Sequence, residues 1–333
     1  MNMSLGLDAA VRWDLLQPDQ PLPLLVTPVA RLSEPAAWAA ANRSAIDANL
    51  RRYGAILFRD FAIETPAHFE AFTEAMSPGL YGQYGDLPKK EEGRNIYRST
   101  PYPEERMILF HNESSHLDCW PSKQWFYCEV AARTGGATPI VDVRRMLLSL
   151  PADVVATFER KALMYIRTFN PDLDVSWQSF FKTSDRAAVE ARCRASGAQL
   201  QWFDDNVLQI RTLCPAVIRH PLTGERAFFN QIQLHHPYNL GDEIRAGLLE
   251  LVGEELLPRN VRYGDGSRIE DEVMALVGRA YEAGAVRFDW QVGDVIMLDN
   301  MLVAHARDPY EGPRKIAVAM SEMFSRTDLP GSA

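Results

Sequence analysis

The chain has 333 residues, 47% of them hydrophobic and 24% charged, enough apolar material for one large domain or two ordinary ones. Its net charge of −9 is not offset by any dense basic stripe, which excludes a nucleic-acid surface and favours a small-molecule or carrier-borne substrate. No apolar run approaches the roughly 18 residues of a membrane span, and the opening MNMSLGLDAAVRWD lacks the basic start and apolar stretch of a signal peptide.

In chain order, residues 34–52 (EPAAWAAANRSAIDANLRR) carry a helical pattern, with Ser33 as N-cap and Gly54 as stop. A short strand, AILFRDF (55–61), follows. Thr65-Pro66 then opens a second helix with proline at its first position. RMILFHNE (106–113), KQWFYCEV (123–130) and ATPIVDV (137–143) have the character of strands. Helices are expected at 151–161 and 184–196, then a hairpin over 199–213 turning at Asp204-Asp205-Asn206. A strand, RAFFNQIQL (226–234), follows the turn HPLTGE, and His235 and His236 end it, pointing to opposite faces. Amphipathic helices come next at 241–256 and 268–283, the second with a capping box of Ser267 and Glu270. The strands AVRFDW, GDVIMLDN and RKIAVAMSEMF close the chain. So many short strands, with helices gathered between them, predict a mostly β fold: a sandwich or jelly roll carrying helical insertions. The glycine turns YGDGS and TGGAT lack the lysine of a phosphate loop. Cys119, Cys128, Cys193 and Cys214 have no metal-type spacing and read as reduced thiols of a cytoplasmic protein.

A histidine followed two residues later by an acid occurs at His68/Glu70, His111/Glu113 and His116/Asp118, and roughly one such match is expected by chance. Local structure discriminates among them. On the helix after Thr65, residues two apart point about 200° from each other, so His68 and Glu70 cannot share an ion. In a strand, side chains alternate, so Met107, Leu109, His111 and Glu113 project from one face. His116 and Asp118 fall in a loop that implies no common face. Of the remaining histidines, His220 sits in a turn, whereas His305 lies just past an apolar strand, on a polar loop, with Arg314 opening the next strand. Two histidines and one carboxylate form the facial triad of non-heme Fe(II) oxygenases, which leaves three coordination positions open.

The chain resembles the TauD/TfdA-type Fe(II)/2-oxoglutarate dioxygenases, and within them the SyrP-like hydroxylases of nonribosomal-peptide biosynthesis. The resemblance rests on YRSTPYP (97–103), HNESSHLDCWP (111–121), FYCEVAARTGGATPIVDVRRM (126–146), IRHPLTGERAFFNQ (218–231), YGDGSRIEDEV (263–273) and WQVGDVIMLDNMLVAHARDPYEGPRKIAVAM (290–320), which occur in family order. It implies one oxygenase domain over 1–333 with a helical insertion around 145–285. The implied fold is a double-stranded β-helix, a clavaminate-synthase-like jelly roll. The implied cofactor is Fe(II), with 2-oxoglutarate and O2 as co-substrates. His111, Glu113 and His305 would be the metal ligands and the catalytic centre. Arg314 and Thr138 would hold the distal carboxylate of 2-oxoglutarate, which a planar two-pronged guanidinium suits better than an ammonium. The bland alternative for Arg314 is an ion pair with Glu311 or Asp308, and for Thr138 a plain turn.

Asn112, His116, Asn230, Gln231 and Arg307 are the candidates for contact with substrate, Arg307 with a structural ion pair as its alternative. Trp177, Phe180, Phe181, Trp202 and Phe203 are expected in the core rather than in a pocket. Arg314 follows His305 more closely than in taurine-type members, and two further positions narrow the chemistry. Position 318 is Val where some relatives carry a second arginine for an anionic substrate, which argues against a sulfonate. Glu113 stands where halogenating relatives lack a carboxylate. The expected reaction is hydroxylation of an amino acid or of an aminoacyl group on a carrier protein, with desaturation, epoxidation or cyclisation as alternatives on the same ligands. From other classes, a Zn-dependent hydrolase would leave Thr138 and Arg314 without a task, and a non-catalytic biosynthetic binding protein would not need three intact ligands.

Overall fold

The computed structural model describes residues 9–82, 95–99 and 102–330. Thr100 and Pro101 of the run 97–103, and the first eight residues of the N-terminal segment, lie outside them. The chain divides into two compact units, one formed by Met1–Glu113, Pro121–Val143 and Gly284–Phe324, the other by Ser114–Trp120, Arg144–Ala283 and Ser325–Ala333.

The first unit is built on a seven-stranded sheet in the order Val11–Gln17, Gln20–Pro28, Ala55–Phe58, Val295–Asp299, Cys119–Val130, Lys315–Ser325, Tyr97–Arg98. A three-stranded sheet sets Val303–Arg307 between Ile108–His111 and Ile140–Asp142. Strand alternation assigns the core. Ile56, Phe58, Trp125, Tyr127, Val295 and Met297 share one core with Trp38, Ile46, Phe69 and Phe72 of the helices Pro35–Ala41, Arg43–Tyr53 and Pro66–Met76. Ala55, Leu57, Phe126, Cys128, Ile296, Leu298, Ile316 and Val318 form a second core with Ile140 and Val303 of the smaller sheet and Leu302 of the turn before it. Each such large side chain contributes about 1.5–3 kcal/mol, so a one-residue slip, which would exchange the two cores, is strongly disfavoured.

The second unit holds a four-stranded sheet in the order Gln199–Trp202, Leu208–Cys214, Leu163–Phe169, Arg259–Tyr263. The hairpin over 199–213 is its edge, with Trp202 opposite Leu208. Trp177 is buried there with Phe169, Val189, Cys193 and Leu208, and Phe181 and Trp202 pack against them. Phe180 and Phe203, expected in the core, are exposed instead, at 38% and 43%.

Several elements differ from the sequence expectation for local reasons. The first helix is two helices broken at Asn42, whose side chain donates to the carbonyl of Trp38, and Ser33 is not its cap. The strand at 226–234 is confined to Arg226–Ala227; Ile232–His235 is one helical turn, and His236 follows it as its C-cap. AVRFDW reduces to an isolated bridge between Val286 and Ile140. The capping box does not form, because Asp265 accepts from both the backbone and the hydroxyl of Ser267, and the helix starts at Asp271.

Candidate active site

His111 ends the strand Ile108–His111 and pairs directly with His305 of the neighbouring strand. The pairing register then shifts before Arg307, an irregularity of the kind that re-aims side chains beside functional sites. The two imidazole centroids stand 4.2 Å apart. His305, expected on a polar loop, is thus the middle residue of the buried strand Val303–Arg307. Glu113 lies in the turn beyond the strand, so alternation carries the shared face only as far as His111. What brings Glu113 back is Asn300, fully buried: its Oδ1 accepts from the Glu113 N–H at 2.7 Å and its Nδ2 donates to the Glu113 carbonyl at 2.9 Å. Among the described residues, His111, Glu113 and His305 are the one group of three metal-type side chains whose ligand atoms lie within 4.8 Å of one another.

The protonation states suit a cation. His111 Nδ1 is 2.7 Å from the carbonyl of Leu109, which only accepts, so Nδ1 carries the proton and Nε2 presents a lone pair. Burial, with His111 alongside, holds His305 neutral well below the ordinary histidine range. Its Nδ1 is buried without a hydrogen-bond partner among the described residues.

Thr138 and Arg314 line the same cavity as these three residues. The Arg314 Nε donates to the carbonyl of Gly136 at 2.9 Å, and a terminal nitrogen donates to Thr138 Oγ1 at 3.2 Å. Trp290 Nε1 donates to the same hydroxyl at 3.1 Å. Gly136 has φ 72°, and a Cβ there would stand 3.0 Å from Arg314 Cδ, so glycine is needed both for the turn and for the close approach. Burial, and then Arg307, lower Arg314 to about 10, which leaves it charged at neutral pH. The two acids of the alternative reading pair elsewhere: Glu311 with Arg133, and Asp308 with Arg287.

The substrate candidates separate. Arg307 lines the cavity, but its guanidinium donates to the carbonyls of Tyr102, Pro103 and Arg106 and lies over the rings of Tyr102 and Tyr310. It fastens a backbone turn and forms no ion pair among the described residues. Asn112 is fully buried and donates to the carbonyl of Asn300 at 2.7 Å. His116, Asn230 and Gln231 belong to the second unit. There His116 packs against Tyr165 and His235, Asn230 bonds the carbonyl of Ala216 and the N–H of Ile232, and the Gln231 backbone donates to the Tyr165 hydroxyl. Asn300, Trp290, Gly136 and Gln124, which donates to Glu113, were not expected from sequence. A buried polar residue in an apolar strand is the signal that marks Gln124.

Residues 18–320 match the family described as "Taurine catabolism dioxygenase TauD, TfdA family". The dapdiamide synthesis protein DdaC of Enterobacter agglomerans is 37% identical over 276 residues, 83% of this chain and 84% of that protein. Among solved structures, PvcB, an Fe, alpha-ketoglutarate dependent oxygenase from an isonitrile synthetic pathway, superposes with a TM-score of 0.59 at 14% identity over 99% of both chains. AAD-2, solved with Mn(II) and N-oxalylglycine, gives 0.52 at 15% identity over 93% of this chain and 96% of that one. The mostly β fold with helices is that of the double-stranded β-helix oxygenases.

Proposed function

The chain belongs to the TauD/TfdA family and is a non-heme iron, 2-oxoglutarate-dependent dioxygenase, and we propose that it hydroxylates an unactivated C–H bond of an amino acid or a carrier-bound aminoacyl group in specialised metabolism. The observation that carries the reading is the juxtaposition, in one cavity, of a two-histidine, one-carboxylate cluster with an arginine that pairs with no acid among the described residues.

Fe(II) fits this donor set: one ring nitrogen is tethered so that the other is free, the second imidazole is neutral, and one carboxylate supplies a single negative charge. When bound, iron with 2-oxoglutarate and O2 supplies an oxidation in which the co-substrate leaves as succinate and carbon dioxide while a substrate C–H bond is oxidised. His111, Glu113 and His305 would hold the metal. Arg314, steadied by Thr138 and the Gly136 carbonyl, receives the distal carboxylate of 2-oxoglutarate. Ile108, Phe126, Ile316 and Val318 give the cavity apolar walls. Glu113 fills the place a halide would need, which favours oxygen transfer over halogenation.

An amino-acid-like substrate is supported by relatives named for dapdiamide synthesis and for an isonitrile synthetic pathway. We assign residues 145–285 as an insertion within one oxygenase domain. No helix among the described residues is long and apolar enough to cross a membrane.

The test is anaerobic titration of metal-free protein with Fe(II) and then 2-oxoglutarate. The expected result is a weak visible charge-transfer band that is absent in His111→Ala. Iron-loaded wild-type protein that gives no band with 2-oxoglutarate would overturn the assignment.

A further inference from the structure

We propose that Gln124 is a positioning residue that fixes Glu113 as a one-oxygen ligand, so that all three positions opposite the triad stay open; the proposal rests on the functional reading above. Gln124 sits in the strand Cys119–Val130, opposite Leu298. It points to the same side as Phe126 and lines the cavity with the triad. It is 1% exposed, and its Nε2 lies 3.1 Å from Glu113 Oε2. An ionised carboxylate accepts hydrogen bonds and cannot donate, so the amide must present its NH2 to Glu113.

The rest of that amide is costly to the fold. Gln124 Oε1 is buried without a hydrogen-bond partner among the described residues, and Trp125, Phe126, Tyr127 and Cys128 beyond it are all buried. An aliphatic side chain of the same length would satisfy the sheet without that loss. The contact with Glu113 is therefore what an amide contributes here.

Asn300 holds the N–H and carbonyl of Glu113, and Gln124 holds its Oε2. With one oxygen engaged by the amide, the other is directed to the metal. A carboxylate that chelated through both oxygens would take a fourth position and leave two. The chemistry needs three, two for the keto acid and one for dioxygen.

The experiment compares wild type, Gln124→Met and Gln124→Leu as full-length chains, each checked for folding by circular dichroism and titrated anaerobically with Fe(II) and then 2-oxoglutarate. Outer-shell partners of this kind set metal affinity by about 10–100-fold. The expected result is Fe(II) binding weakened by about tenfold or more, with the charge-transfer band of the chelate displaced in energy. Folded variants that bind within threefold of wild type and give a superimposable band would overturn the proposal. An absence of any band in the wild type would be a failure of the functional reading itself and is seen before any variant is made. A wild-type measurement carries the same test if neither variant folds: the infrared difference spectrum between metal-loaded and metal-free protein. A wide separation of the carboxylate stretches supports a one-oxygen ligand, and a narrow, chelate-type separation overturns it.

Discussion

Two pairs of histidines stand ring against ring at a tilt in this molecule, and only one of them is equipped to hold an ion. His111 and His305 approach to 4.2 Å between ring centroids, His116 and His235 to 4.9 Å. The first pair sits directly in register on adjacent strands, has one ring tethered through Nδ1, and has Glu113 fastened beside it. The second meets the ring of Tyr165 instead, and among the described residues no carboxylate completes it. Proximity of imidazoles does not make a metal site; a rigid frame and an anionic third donor do.

The sharpest way to break this contrast is to remove one histidine from each pair. His305→Ala should weaken Fe(II) binding by more than the roughly 100-fold that an outer-shell change costs, whereas His116→Ala should leave it within about threefold. Anaerobic metal titration of both variants decides it. Equal losses would mean that the two pairs are not different in kind.

The two arginines of the cavity extend the comparison at a smaller scale. Arg307 is engaged by three backbone carbonyls, while Arg314 has Gly136 and Thr138 and, among the described residues, no acid. Loss of one partner from a buried charge pair costs about 2 kcal/mol or more, roughly 30-fold. Arg314→Ala should therefore raise the KM for 2-oxoglutarate by about 30-fold, with little change in the urea midpoint. Arg307→Ala should do the reverse, lowering stability by about 2 kcal/mol through the freed carbonyls at 102–106. Steady-state kinetics paired with urea unfolding separates the two, and matching profiles would refute the division of labour.

How far the site could be read from sequence follows the same division. The pairing of His111 with Glu113 was favoured because helix geometry rejects His68/Glu70, although alternation itself stops at His111; the role of Arg314 came with the family resemblance rather than from local pattern. Asn300 was not, although it holds Glu113 at both backbone ends, because the contact spans 187 residues and no local pattern encodes it. His305 illustrates a milder failure: its residue type pointed to the metal, but polar neighbours made a buried strand look like a loop. Ser267 shows the opposite error. Its spacing from Glu270 fits a cap, yet Asp265, two residues before it, captures the hydroxyl first. Likewise the alternation around 226–234 does not reveal that Asn230 will bond Ala216 and Ile232 and turn the chain into a helical turn. Periodicity carried the strands; long-range and competing hydrogen bonds decided the rest.

The smallest effect tests another histidine of the second unit, His236, which belongs to no metal-type cluster among the described residues. It is buried, with Nε2 donating to the carbonyl of Ile269 and Nδ1 accepting from the N–H of Tyr238. Burial lowers it to about 4, against the opposing pull of the Ile269 carbonyl, Asp271 and Glu254. The sign follows from proton binding. Below about 6.5 the unfolded chain takes up a proton that the folded chain refuses. The contribution of this group is fully present above that pH, falls as the pH drops, and is gone by the folded value of about 4. Between pH 6.5 and 5.5 the loss amounts to about 1 kcal/mol, slightly under the 1.36 kcal/mol of a full unit because the unfolded histidine is only half protonated at the start. Urea unfolding of wild type and His236→Gln across this interval should show a decline in the wild type that is shallower by about 1 kcal/mol in the variant. Parallel curves would mean that His236 is protonated in the folded chain, and the distinction between a histidine kept neutral by burial alone and one kept neutral for a metal would lose its reference point.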